Sequence, residues 1–447
     1  LATSIIAILG IWSEFGFDMA LIRDQEASRR HYDTAWTLTF LRGVIVALAI
    51  WVFADYIAAF FNEPRIVPIL YLLSLMSVME GLQSIRTVDF RKNLELHKEF
   101  NFLMIARVAQ FVVTISLAFL WQDWWALVGG ILTNRILRLG LSYWMAPYRP
   151  RLTFAEFGDL FNFSKWMVFN SIFTFLSSRL DAFVLGRMNG VSQLGLYNMA
   201  YEISNMATTE LVWPISRAVF PGFAKIAHIR EELVKYYNRS LSLIVLIALP
   251  ATVGIAMSAP YFVPLALGEK WLETIPLMQV LAIYGCIRVV QASTVSMYYA
   301  VGKPYLATAL SGTTLVVLAP AMIWLVGLYG ALGAAWAVVI GSVPPFAMML
   351  FFNARLLRIS VYRSFLNVLR PLLSAAMMFG VLTAFHSEMP PSDSYGVLAM
   401  QTLAFVATGA IVYVGALLFF WRVLKIGEGS EDALYDFALE KLGRRKS

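Results

Sequence analysis

Apolar runs of about twenty residues, separated by short polar connections, dominate the chain. Thirteen can be drawn, at roughly 1–22, 35–53, 66–85, 101–121, 124–144, 165–186, 193–214, 239–258, 273–299, 306–326, 329–351, 371–386 and 396–421. A helix of about 20 apolar residues crosses the hydrocarbon core of a bilayer, so the pattern predicts an all-α polytopic membrane protein. The chain opens on Leu1 inside an apolar stretch, and a preceding first helix is expected.

Composition excludes the soluble alternative. Of 447 residues, 59% are hydrophobic and 14% charged, where soluble domains carry about 25% charged residues. The net charge of +7 does not mark a nucleic-acid binder, because the basic residues are scattered through short connections. One cysteine, Cys286, excludes an internal disulfide.

Successive connections alternate sides of the membrane, and the charges follow that alternation. One side collects 29 of the 35 Lys and Arg, from Arg23, Arg29 and Arg30 through to the tail. The opposite side holds Arg65, Arg187 and Lys270, while Arg42, Arg179 and Arg288 fall inside spans. The basic side is the cytoplasm by the positive-inside rule, which puts the C-terminus there too. The connections on the other side are short, with no sizeable external loop or domain of the kind membrane glycosyltransferases and polymerases use. On the basic side, Phe154, Phe157, Leu160 and Phe161 precede the sixth span, and Leu434, Phe437, Ala438 and Leu442 recur at helical spacing in the tail. Both stretches read as interfacial struts.

DYIAAFFNEPRIVPILYLLSLMSVMEGLQSI, from Asp55, and PYFVPLALGEKWLETIPLMQVLAIYGCIRVVQ, about 206 residues later, share an aromatic-rich exit, an acidic turn (Glu63, Glu269) and a re-entering span. An even number of spans separates them, so the repeat is parallel, as in secondary transporters that hold a cavity between two halves. General similarity among membrane hairpins is the competing explanation.

Several stretches carry a family resemblance: FGFDMALIRDQE; FGDLFNFSKWMVFNSIFTFLSSRLDAFVLGRMNGVSQLGLYNMAYEIS; VWPISRAVFPGFAKI; and LGEKWLETIPLMQVLAIYG followed by AVGKPYLA. In order and spacing the chain resembles the Wzx-type lipid-linked oligosaccharide flippases of the multidrug/oligosaccharidyl-lipid/polysaccharide exporter superfamily. The resemblance implies two six-helix lobes plus two C-terminal helices, with the first helix missing here. The expected division is a truncated N-terminal lobe at 1–150, a second lobe at 151–353, two further spans at 354–425 and a cytoplasmic tail at 426–447. It also implies a polyprenyl-diphosphate-linked glycan as substrate, moved from the cytoplasmic to the outer leaflet of the inner membrane by alternating access. The product would feed lipopolysaccharide or exopolysaccharide synthesis, with a polymerase or export machinery as further partner.

Charges within spans are costly, at least ~2.5 kcal/mol each at mid-membrane, and call for a partner, a wet cavity or a function. Arg288 lies near the middle of its span, on one face with Tyr284 and Gln291. A guanidinium there suits a diphosphate, which it binds bidentately; an interhelical ion pair is the alternative. Arg42 and Arg179 sit nearer span ends, where lining the cavity competes with snorkelling. Arg179 and Asp181 point apart on a helix, and Asp181 instead continues a polar stripe of Ser171, Thr174 and Ser178. Asn198, Glu202, Asn205 and Thr209 form a second stripe on the next span. Either stripe faces a cavity or hydrogen-bonds a neighbouring helix. Glu14 and Asp18, an i, i+4 acidic pair, join Asp181 and Glu202 as candidates for H⁺ or Na⁺ coupling, against plain solvated acids at a helix end.

His31, His97, His228 and His386 lie on different segments without ligand spacing, so no metal site or other cofactor is expected. There is no phosphate-binding glycine loop with a following Lys-Ser/Thr and no nucleophile–base arrangement, so no enzymatic activity is expected. A cation-coupled multidrug exporter of the same superfamily is the alternative function, and a membrane-embedded glycan polymerase a third.

Overall fold

A computed structural model of the chain describes residues 16–60, 66–123, 125–358, 361–392 and 394–423. Glu14, Glu63 and the apolar tail positions 434–442 lie outside the described residues. Among the described residues, every regular element is helical.

The helices are α1 (Phe17–Arg23), α2 (Arg29–Phe60), α3 (Ile66–Gly81), α4 (Val88–Lys92), α5 (Leu96–Trp121), α6 (Trp125–Met145) and α7 (Phe157–Met206). After a π-helical segment (Ala207–Val212) come α8 (Trp213–Ile226), α9 (Arg230–Ala266), α10 (Thr274–Ala300), α11 (Pro304–Leu357), α12 (Val361–Glu388) and α13 (Tyr395–Val423). Every expected span from 35–53 onward meets one of these helices or one arm of α7 or α11, and 193–214 runs on through the π-helical segment into α8.

Eight helical stretches of described residues are long and apolar enough to cross a membrane. The number is below thirteen partly because α7 and α11 each hold two passes. At 1.5 Å per residue, a straight helix of their 50 and 54 residues would run about 75–80 Å, far beyond a hydrocarbon core of about 30 Å. Each doubles back at a glycine outside helical geometry, Gly190 (φ 85°, ψ 174°) and Gly330 (φ 57°, ψ −132°). The arms pair antiparallel about these points. A Cβ on Gly186 would lie 3.3 Å from Leu194, one on Gly341 would lie 3.1 Å from Leu318, and Thr313 Oγ1 lies 3.8 Å from Met348 Sδ. The turns take positive φ at low cost only with glycine. α6 carries Asn134, Arg135 and Arg138 and is less apolar than the eight.

The chain forms two compact units. One comprises the described residues up to Ile172 together with Gly302–Tyr305; the other comprises the described residues of Phe173–Val301 and those from Leu306 to Val423. In the first unit α2 packs on α3 and α5 on α6. Helix α7 begins at Phe157, so the aromatic stretch runs directly into a span. There Leu160 is buried, while Phe154, Phe157 and Phe161 are exposed and Phe157 stacks on Phe161.

The core of the second unit joins the arms of α7 and α11 with α10. Leu185, Tyr197, Ala200, Met278, Leu281 and Met322 are buried there beside Ala334, Ala335 and Ala337 of α11. The alanines let the helices approach closely, the usual means of tight packing where lipid supplies no hydrophobic drive.

Candidate functional site

Arg288, on α10, is half-buried in the second unit. Its Nη1 donates to Asn205 Oδ1 at 3.0 Å, and its guanidinium lies 5.5 Å from the centre of the Tyr284 ring. Residues 284 and 288 are i and i+4, so α10 itself stacks the cation on the ring. Tyr201 and Tyr284 lie in the electrostatic environment of Arg288. Asn205 also donates through Nδ2 to Tyr201 O at 2.9 Å, which fixes the carboxamide so that its oxygen faces Arg288.

Asp181 is buried on the preceding arm of α7, where Ala182 N–H donates to its Oδ1 at 2.7 Å. The fully buried Tyr197 hydroxyl approaches this carboxylate without reaching full hydrogen-bond geometry. The Tyr197 and Tyr201 rings lie 5.9 Å apart. The hairpin at Gly190 brings Asp181 beside Tyr197, Tyr201 and Asn205, and α10 adds Tyr284 and Arg288, to give one polar group bounded by an acid and a guanidinium. The π-helical segment begins two residues after Asn205, and such segments often occur at functional sites.

Of the other expected residues, Gln291 is half-buried on α10. Arg179 is exposed and lies 5.8 Å from the Phe175 ring centre. Asn198 and Glu202 are exposed, whereas Asn205 is buried. Thr209 falls in the π-helical segment, where the 100° step of the second stripe no longer applies.

In the first unit, half-buried Arg42 on α2 lies in the field of Glu80 and Asp18. Glu80 pairs with Arg135, Nη1 to Oε2, at 3.0 Å. Asp18 accepts from Arg91 Nη2 at 2.8 Å, and Arg91 also lies 3.5 Å from Glu99.

Asp33 on α2 anchors the connection that leads into α7. It accepts from the Tyr148 hydroxyl and, at 3.2 Å, from Arg151 N–H. Burial, reinforced by that carboxylate, pushes the Tyr148 phenol above its ordinary pKa, so it stays a donor.

Sequence reasoning missed Tyr197, Tyr201, Glu80 and Asp33. The two tyrosines lie on the span of the second stripe, but reading only amide, hydroxyl and carboxylate positions passed over their phenols. Spacing gave no sign of where Glu80 and Asp33 would find partners.

A family model described as polysaccharide biosynthesis protein matches residues 1–276. The chain belongs to this family. The lipopolysaccharide biosynthesis protein WzxC of Escherichia coli (strain K12) is 32% identical over 289 residues, which is 64% of this chain and 58% of WzxC. The teichuronic acid biosynthesis protein TuaB of Bacillus subtilis (strain 168) is 26% identical over 419 residues, 91% of this chain and 84% of TuaB. These matches bear out the resemblance to Wzx-type flippases.

Among solved structures, the bent form of the Vibrio cholerae MATE transporter VcmN superposes with a TM-score of 0.64 at 14% identity, over 80% of this chain and 87% of that one. A Pyrococcus furiosus transporter of the MOP superfamily gives 0.62 at 14% identity, over 80% and 87%. This member of the polysaccharide biosynthesis family therefore has a MATE-like transporter fold and is a multi-pass membrane protein. Chemically, its Arg288 group offers guanidinium donors beside phenols and a carboxamide, a set that suits anionic oxygens on a larger polar ligand.

Proposed function

We propose that the protein is a flippase, not an enzyme. It moves a polyprenyl-diphosphate-linked oligosaccharide repeat unit from the cytoplasmic to the outer leaflet of the inner membrane by alternating access, for surface polysaccharide synthesis. The observation that carries this reading is Arg288, a partly buried guanidinium in the middle of a span, held by Asn205 and Tyr284 in a chain of the polysaccharide biosynthesis family. A diphosphate is the lipid-linked substrate's strongest anionic feature, and bidentate guanidinium contacts recognise it. Arg42, Arg179, Tyr284, Gln291, Asn198 and Asn205 complete the proposed substrate contacts. Asp181, Glu202, Glu14 and Asp18 are the proposed H⁺ or Na⁺ coupling groups. Names such as lipopolysaccharide and teichuronic acid biosynthesis protein among the relatives support this class of substrate.

Lipid analysis of cells depleted of the full-length gene tests the proposal. A complete polyprenyl-diphosphate-linked repeat unit should accumulate on the cytoplasmic leaflet. Accumulation of unpolymerised units on the outer leaflet would place the defect downstream and overturn it.

A cation-coupled multidrug exporter is the second reading, favoured by buried Asp181 and by the MATE-like fold. It requires drug or dye efflux that depends on Asp181, with no change in lipid-linked glycans.

A further inference from the structure

At the arginine-rich end of the first unit, three segments bring metal-ligating side chains together. His31 lies in the first turn of α2, Glu156 just before α7 and Asp159 in the first turn of α7. Their ligand atoms all lie within 4.8 Å of one another. Asp24, in the turn between α1 and α2, adds a second carboxylate 3.8 Å from His31 Nε2, and Glu156 lies 3.9 Å from the same nitrogen.

We infer that this is a divalent-metal site of Zn²⁺ type, with His31 Nε2 and the Glu156 and Asp159 carboxylates as ligands and Asp24 beside them. The first argument is charge. Among the described residues, no Lys or Arg lies within 4 Å of the Glu156 or Asp159 carboxylates, whereas Lys92 Nζ donates to Asp24 O at 2.6 Å and lies in the field of the Asp24 side chain. Arg29 is engaged instead by Asp33 at 3.7 Å and by Arg149 O at 3.4 Å. Two carboxylates, Glu156 and Asp159, thus face one imidazole without a cationic side chain beside them, a set for which a bound cation supplies the missing charge.

The second argument is support. Glu156 is not on a free loop, because the connection carrying it is stitched to α2. Arg151 N–H donates to Asp33 Oδ1 at 3.2 Å, Thr153 N–H to Thr37 Oγ1 at 3.1 Å and Glu156 N–H to Thr34 Oγ1 at 3.3 Å. His31 is anchored at its other nitrogen, where Ser28 Oγ lies 2.9 Å from Nδ1. That residue fixes the orientation of the ring and leaves Nε2 turned toward the carboxylates. Ser28 N–H also donates to Nδ1 at 3.3 Å.

The third argument is chemistry. Imidazole with carboxylates suits Zn²⁺ better than the oxygen-seeking Mg²⁺ or Ca²⁺. Tetrahedral bonds of about 2.1 Å put ligand atoms about 3.4 Å apart, so closing the group takes side-chain shifts of about 1 Å. The ion would tie the α1–α2 turn, α2 and the start of α7 together.

The test uses the full chain in detergent, stripped with chelator and dialysed against Zn²⁺, with bound metal quantified and unfolding temperature recorded. Wild-type protein should bind about one Zn²⁺ and unfold at higher temperature when loaded. His31→Ala and the near-isosteric Glu156→Gln and Asp159→Asn should each lose at least about tenfold in affinity, together with the thermal shift. His97→Ala, which removes an exposed imidazole on α5, should retain both. If His31→Ala fails to fold, the two isosteric variants decide. Unchanged binding in Glu156→Gln and Asp159→Asn, or Zn²⁺ bound no more tightly than Mg²⁺, would overturn the site.

Discussion

The guanidinium of Arg288 donates to the carboxamide of Asn205 at 3.0 Å, joining α10 to the last turn of the second arm of α7 before the π-helical segment. The partner is a neutral amide, so the positive charge is oriented without being neutralised. An ion pair would have cancelled that charge; this arrangement leaves it available to an anion.

Replacing Arg288 separates charge from shape. Arg288→Ala should abolish export of surface polysaccharide, whereas Arg288→Lys should retain part of it, because an ammonium keeps the charge but loses the bidentate fork. Export measured at matched protein levels checks this, and full activity of the alanine variant would remove Arg288 from the site.

Asn205 distinguishes an anion site from a structural bond. Asn205→Asp keeps a hydrogen-bond acceptor and adds a charge that pairs with Arg288, so thermal stability should hold while export falls. Asn205→Leu leaves a donor of Arg288 without this partner and should cost about 1–3 kcal/mol. If Asn205→Asp exports normally, the free charge of Arg288 has no role in transport.

Gly330 tests the hairpin. At φ 57° and ψ −132° an alanine is strained by roughly 1–3 kcal/mol, and its Cβ would lie 3.4 Å from Asn189 Nδ2. Gly330→Ala should lower the unfolding temperature of purified protein. Gly195→Ala, in α7 with no atom within 4 Å of the new Cβ, should leave it unchanged or raise it, since alanine is the better helix former by about 1 kcal/mol.

Asp33 anchors the connection into α7. Asp33→Ala leaves the Tyr148 hydroxyl and Arg151 N–H without their acceptor and should cost about 1–3 kcal/mol for each group that stays dry. Tyr148→Phe, which removes a single donor, should cost about 1 kcal/mol. Protease cleavage between Tyr148 and Glu156 should accelerate in the first variant far more than in the second. Equal rates would show that Asp33 does not hold this connection.

Much of the fold was legible because a bilayer imposes a length on every apolar run, and the expected spans from 35–53 onward all meet helices. The doubling back of α7 and α11 was legible as connections near 187–192 and 327–328, and the structure assigns each turn to one glycine. Arg288 and Asp181 stood out because charge within a span is rare. The distinction between Asn205, which is buried against Arg288, and Asn198 or Glu202, which are exposed, was not legible. A helical face is shared by residues whose environments differ along its length.

From the sequence alone come the membrane-spanning helical class, the alternation of basic connections and the resemblance to polysaccharide flippases. These rest on local quantities: apolar length, charge placement and short motifs. Only the tertiary structure decided that Arg288 meets Asn205 rather than an acid, that Tyr197 faces Asp181 across the Gly190 turn, and that His31, which has no ligand spacing in the sequence, meets Glu156 and Asp159. Such pairings join residues 16 to 128 positions apart, and the folded path of the helices, not periodicity, brings them together.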